Sequence, residues 1–87
     1  MKTSEILLLA NKLVSGERHI QNGDKAINHK NIASLWSAYM GYEITPQNVA
    51  IMMALLKIAR TKLGNNNLDN FVDGCGYIAI AGELSEK

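Results

Sequence analysis

Cysteine occurs once in this 87-residue chain, at Cys75, so no disulfide can close within it. No Cys and His spacing of a zinc site is present either. An excess of one charge is also missing. Nine basic residues face eight acidic ones, for a net charge of +1. Duplex DNA selects a basic stripe, so this balance argues against it as a partner. Long apolar runs are absent: Ile6 to Ala10 is too short to span a bilayer, and no small-residue cleavage signal follows it. The chain therefore reads as a cytoplasmic protein with no membrane partner. Glycine-rich phosphate loops, nucleophile elbows and HExxH patterns are lacking as well, which weighs against an enzyme.

What remains is a hydrophobic fraction of 47%, ordinary for a globular protein. Residues 1–87 are read as one domain. A chain of this size buries about 60–65% of its unfolded surface, so its stability margin is thin. Small helical domains often strengthen such a core by oligomerising, and a homo-oligomer is expected.

The pattern predicts an all-α, four-helix domain with a central buried third helix. The first helix spans about Ser4 to Val14, capped by Thr3 or Ser4, with Glu5 in its first turn and Gly16 as the stop. Residues 17–30 read as a polar connector around the turn signal Asn22-Gly23-Asp24. Such long connectors are often functional. His19 and His29 lie at its ends as surface residues, forming with Arg18, Lys25 and Lys30 a candidate anion-binding rim. In the second helix, Ile32, Leu35, Trp36, Tyr39 and Met40 form one apolar stripe, capped by Asn28 or Asn31 and ended by Gly41. Trp36 and Tyr39 are assigned to the core, and Tyr42 to the surface. Thr45 and Pro46 open the third helix as N-cap and first residue. It is expected to reach Leu63. Its apolar residues Val49, Ile51, Met52, Met53, Leu55, Leu56 and Ile58 cover nearly every face, the signature of a buried helix. The fourth helix runs from about Asp69 to Ser85, capped by Asn67 or Asp69. Each glycine at 74, 76 and 82 costs about 1 kcal/mol against alanine in a helix interior. Close approach of a neighbouring helix or a ligand would offset that cost.

Asp69 and Asp73 share a face of the fourth helix, and the third carries Lys57, Arg60 and Lys62. Counting outward from the connecting loop places Arg60 near the level of Asp73. The bland reading is an interhelical ion pair. The sharper reading is a nucleotide site in which Asp73, with Asp69 and Glu83, holds Mg²⁺ before a phosphate and Lys57 and Arg60 contribute positive charge. Glu83 by itself reads as solvated, and Cys75 as a small buried hydrophobe.

Four blocks carry a family resemblance: residues 31–39 (NIASLWSAY), 44–46 (ITP), 52–60 (MMALLKIAR) and 69–83, from Asp69 through Asp73 to Glu83. In order and spacing they resemble a family of small phage and prophage proteins defined only as a domain of unknown function. The resemblance implies a phage-encoded accessory protein in the host cytoplasm. It would act by binding a host protein, for example one of a defence or nucleic-acid system, through an apolar patch near Met40, Tyr42 or the Gly74 and Gly76 face. More distantly, Asp73 followed by Tyr77, Ile78 and Ala79 resembles the second acidic motif of the MazG-like all-α nucleoside triphosphate pyrophosphatases. That similarity implies nucleotide binding or sequestration, with residual Mg²⁺-dependent hydrolysis as its extreme. The chain departs from that pattern: residues 31–40 contain no acid, and Asn70 stands where a glutamate is expected.

Overall fold

A computed structural model describes residues 1–16, 24–62 and 67–86. Their regular structure is four helices: α1 (Thr3–Ser15), α2 (Lys25–Met40), α3 (Pro46–Arg60) and α4 (Leu68–Ser85). In space they follow the order α2, α3, α4, α1. The α3–α4 pair makes the most extensive contact and forms the centre of the domain.

Local chemistry explains most of the boundaries. Lys2, rather than Thr3 or Ser4, precedes α1, and the Glu5 carboxylate accepts the Lys2 backbone N–H at 2.9 Å. The start of α2 is displaced furthest from expectation. Asp24 caps it, its Oδ1 accepting the N–H groups of Ala26 and Ile27, which makes residues 25–30 helical rather than connector. Asn28 and Asn31 thus lie inside the helix. A strong Asx cap overrides the polar composition of that first turn. The other part of the expected connector, residues 17–23, lies outside the described residues, with Arg18 and His19.

At the far end of α2, Gly41 takes φ +80°, the left-handed conformation that glycine adopts without a Cβ clash. Ser37 then closes the turn. Its Oγ accepts the Ile44 N–H at 2.8 Å and donates to the Ile44 carbonyl at 3.1 Å. Thr45 caps α3, its Oγ1 accepting the Asn48 N–H, while Asn48 Oδ1 accepts the Thr45 N–H. Pro46 occupies the first helical position as expected. The helix proper stops at Arg60; Leu63 and Gly64 lie outside the described residues. Asn67 caps α4 through the Asp69 N–H.

The interior is built from small side chains. Among the described residues, five of the eight buried hydrophobic side chains are alanines: Ala10, Ala33, Ala50, Ala54 and Ala81. Ala33, Ile44 and Val49 form one cluster, with Ile32, Trp36 and Met53 packed against it. Small residues allow close backbone approach. Gly76 shows the same device, because a Cβ there would stand 3.1 Å from Val14 Cγ1 of α1. An added Cβ at Gly74 would meet Lys57 Cβ at an ordinary 3.8 Å, and at Gly82 it would meet nothing within 4 Å.

Many large apolar side chains are left outside. Val49, Ala50 and Ala54 bury one side of α3, while Met52, Leu55, Leu56 and Ile58 of the same helix are exposed. The all-round apolar pattern thus overstates how much of α3 the monomer covers. On α2 the predicted stripe splits. Trp36 is half-buried, but Leu35 is 72% exposed and Tyr39 89% exposed. Tyr39 is therefore a surface residue and not part of the core. The inward side of α2 is set by His29, Ala33 and Trp36, at i, i+4 and i+7, because those positions meet α3 and α4.

Candidate functional site

Two features stand out against this small-residue core: a buried polar row on α4, and an apolar surface that none of the described residues covers.

The row is made by Asn70, Asp73 and Tyr77, at i, i+3 and i+7 on one face of α4. Asn70 and Asp73 are buried, and Tyr77 is half-buried. From α3, Lys57 reaches Asp73 with Nζ 3.2 Å from Oδ2, and both side chains are largely shielded (15% and 7% exposed). The expected interhelical ion pair is present, but Lys57 makes it instead of Arg60. Lys57 is one turn deeper in α3. Arg60, one turn nearer the end of α3, is exposed. A shielded pair costs desolvation as well as gaining attraction, so its presence in so small a core is notable.

His29 comes to this row from α2. It is only 5% exposed, and its ring lies 6.3 Å from that of Tyr77, tilted by 60°. Nδ1 lies 2.8 Å from the Lys25 carbonyl, while Nε2 is buried with no hydrogen-bond partner among the described residues. If Nδ1 carries the proton, Nε2 presents a lone pair to the interior. His29 is thus a core residue, not the surface residue that its polar neighbours imply. The missing signal was the Asp24 cap: once α2 starts at Lys25, His29 falls in line with Ala33 and Trp36. Asn70 and Tyr77, which enter the sequence reading only through the MazG-like comparison, join the site because they share a helix face with Asp73.

The remaining charged candidates lie apart from the pair. Asp69 is exposed in the first turn of α4. Glu83, ten residues beyond Asp73, is about 15 Å along the helix, where its Oε2 lies 3.6 Å from Lys25 Nζ. Lys25 is therefore engaged by Glu83. Among the described residues no group of three or more His, Cys, Asp or Glu side chains comes together to hold a metal ion. Asp69, Asp73 and Glu83 are thus not gathered into one three-carboxylate cluster.

The apolar surface has two parts. One follows the outer side of α2 into the turn beyond it: Leu35, Tyr39, Met40 and Tyr42, the last two being 48% and 61% exposed. The other is a groove of about 470 Å³ over α4, between α1 and α3, walled by Leu7, Ile58, Phe71 and Ile78 and floored by Gly74, Cys75 and Ala79. Cys75 is half-buried there and not enclosed. Gly76 points elsewhere, against Val14.

Residues 5–85, nearly the whole chain, match the profile of DUF6378, a domain of unknown function. The chain belongs to the DUF6378 family. Its relatives include the Gene 55 protein of Mycobacterium phage L5, 45% identical over 76 residues, which cover 86% of this chain and 49% of that protein. The Gene 55 protein of Mycobacterium phage D29 is 38% identical over 85 residues, covering 98% of this chain and 56% of that protein. The expected kinship with phage proteins of unknown function is therefore shown. The chain spans about half the length of these relatives. No solved structure matches it. No helix among the described residues is long and apolar enough to cross a membrane.

Proposed function

We propose that this DUF6378 domain acts by binding a protein of the phage's host through the outer side of α2 and the turn that follows it. The observation that carries the reading is the exposed set Leu35, Tyr39, Met40 and Tyr42. Tyrosines are favoured anchors of protein interfaces because they bring large amphipathic area at low entropic cost, and methionine adapts to irregular partners. Leu35 and Tyr39 are one turn apart, and Gly41 and Ser37 hold Tyr42 in a fixed turn beyond them. The set is therefore displayed on a rigid support. Capture from host lysate on immobilised domain tests the reading. A host protein retained by the parent chain and lost with Leu35→Asp or Tyr39→Ala is expected. Retention of nothing, or equal retention by both variants, would refute it.

A second reading is nucleotide binding at the buried row, as the MazG-like resemblance implies. The observation favouring it is a polar set inside a small core, with His29 beside Tyr77 and its Nε2 lacking a partner among the described residues. Buried polar groups without partners are costly, so a ligand that donates to Nε2 would stabilise the fold. ATP with and without Mg²⁺ should then raise the melting temperature, and Tyr77→Phe or His29→Phe should abolish the rise. An unchanged melt at millimolar ATP removes this reading.

A further inference from the structure

We infer that the groove over α4 binds a small uncharged amphiphile, a molecule with an apolar body and one neutral hydrogen-bonding group that pairs with Asn70. Asn70 lies in the first turn of α4, lines the groove and is only 8% exposed. Its side-chain amide makes no hydrogen bond among the described residues. A buried amide left in that condition is costly. It carries two donors and an acceptor, so it can pair with a hydroxyl, a carbonyl or an amide of a bound molecule. Thr61, the other polar side chain of the lining, already gives its hydroxyl proton to the Ile58 carbonyl at 2.6 Å.

The remaining walls set the class of ligand. A groove of about 470 Å³, walled by Leu7, Ile58, Phe71 and Ile78, matches the size and the mostly apolar lining of small-molecule sites, in which a few placed polar groups fix orientation. None of the described residues that line it is charged. An ionised group entering it would lose water without gaining a counter-ion, so a neutral head fits best. An extended peptide would bring a row of backbone N–H and C=O groups, more than one amide can pair. Gly74 adds to this picture. It lies one turn from Asn70 on the groove floor, and an added Cβ there would meet Lys57 Cβ at an ordinary 3.8 Å. Contact between α3 and α4 therefore does not demand a glycine, whereas an open floor beside Asn70 uses one. This site is distinct from the α2 surface proposed for the host protein, so either assignment can fail alone.

Titration of the isotope-labelled 87-residue chain, followed by NMR, tests the site with 2-naphthol and with naphthalene, its counterpart lacking the hydroxyl. Saturable binding of 2-naphthol is expected, with shifts of the Asn70 side-chain amide and of the Gly74 and Cys75 backbone amides. It should bind at least about five-fold more tightly than naphthalene. Asn70→Leu should erase that preference while naphthalene still binds. Because this variant could also disturb α4, Cys75 of the unaltered protein supplies an independent reading. As a groove residue and the sole thiol, it should react with a maleimide several-fold more slowly when 2-naphthol is saturating. No saturable shift at millimolar 2-naphthol, equal affinity for the two probes, or an unprotected Cys75 would overturn the inference. So would groove amides that move with protein concentration and with neither probe, the mark of a second copy in the groove.

Discussion

Removing one member of the Lys57–Asp73 pair should be among the most damaging single changes this domain can suffer. The two groups are 3.2 Å apart, and their side chains are 15% and 7% exposed. Water can therefore do little to solvate whichever charge is left behind. Breaking a buried pair in this way typically costs about 3–5 kcal/mol. Asp73 keeps a further interaction, which places Lys57→Met at the lower end, about 3 kcal/mol. Against the roughly 4–13 kcal/mol expected for 87 residues, that is a large fraction of the whole. At about 4–8 °C per kcal/mol, the melting temperature should fall by roughly 12–24 °C. Asp73→Leu should cost a similar amount, but the double variant should recover most of the loss, because replacing both charges by packed apolar groups is often neutral. The coupling energy should then reach at least ~1.5 kcal/mol. Urea unfolding followed by far-UV circular dichroism measures all four proteins, at one fixed concentration because association adds to apparent stability. A Lys57→Met variant within about 0.5 kcal/mol of the parent, or additive single effects in the double, would refute the reasoning.

Ser37→Ala removes both hydrogen bonds to Ile44 that close the turn before α3, and should lower stability by about 1–3 kcal/mol in the same urea assay. Gly76→Leu drives a side chain into Val14 of α1, where even a Cβ stands at 3.1 Å; a loss of about 1–3 kcal/mol is expected, with faster amide exchange in α1. Glu83→Gln breaks only the 3.6 Å contact to Lys25, in which Glu83 is 46% exposed, so thermal denaturation should shift by no more than about 0.5 kcal/mol. Asp24→Ala deletes the α2 cap and should cost about 1 kcal/mol, with loss of helical signal at 222 nm.

The sequence by itself determined the helices and most of their stops. Thr45 with Pro46, Gly41 after Met40, and Asn67 before α4 are local chemical events, settled by hydrogen-bonding groups within a few residues of one another. It also determined the family, because the match to the family's profile over residues 5–85 is made on the sequence alone. The start of α2 was legible in principle from Asp24, but the polar residues after it masked the signal. Only the tertiary structure decided which face of each helix is covered. The α2 stripe from Ile32 to Met40 does not say that Trp36 turns inward while Leu35 and Tyr39 face water. That outcome depends on where α3 and α4 lie. The choice of Lys57 over Arg60 as partner of Asp73 is of the same kind, since one helical turn of register between two antiparallel helices is set by the packing of all their side chains. Burial of His29 beside Tyr77 likewise joins residues 48 positions apart in the chain. Hydrophobic patterning records that a face is apolar; whether its own domain or another molecule covers it depends on distances that a linear sequence does not contain.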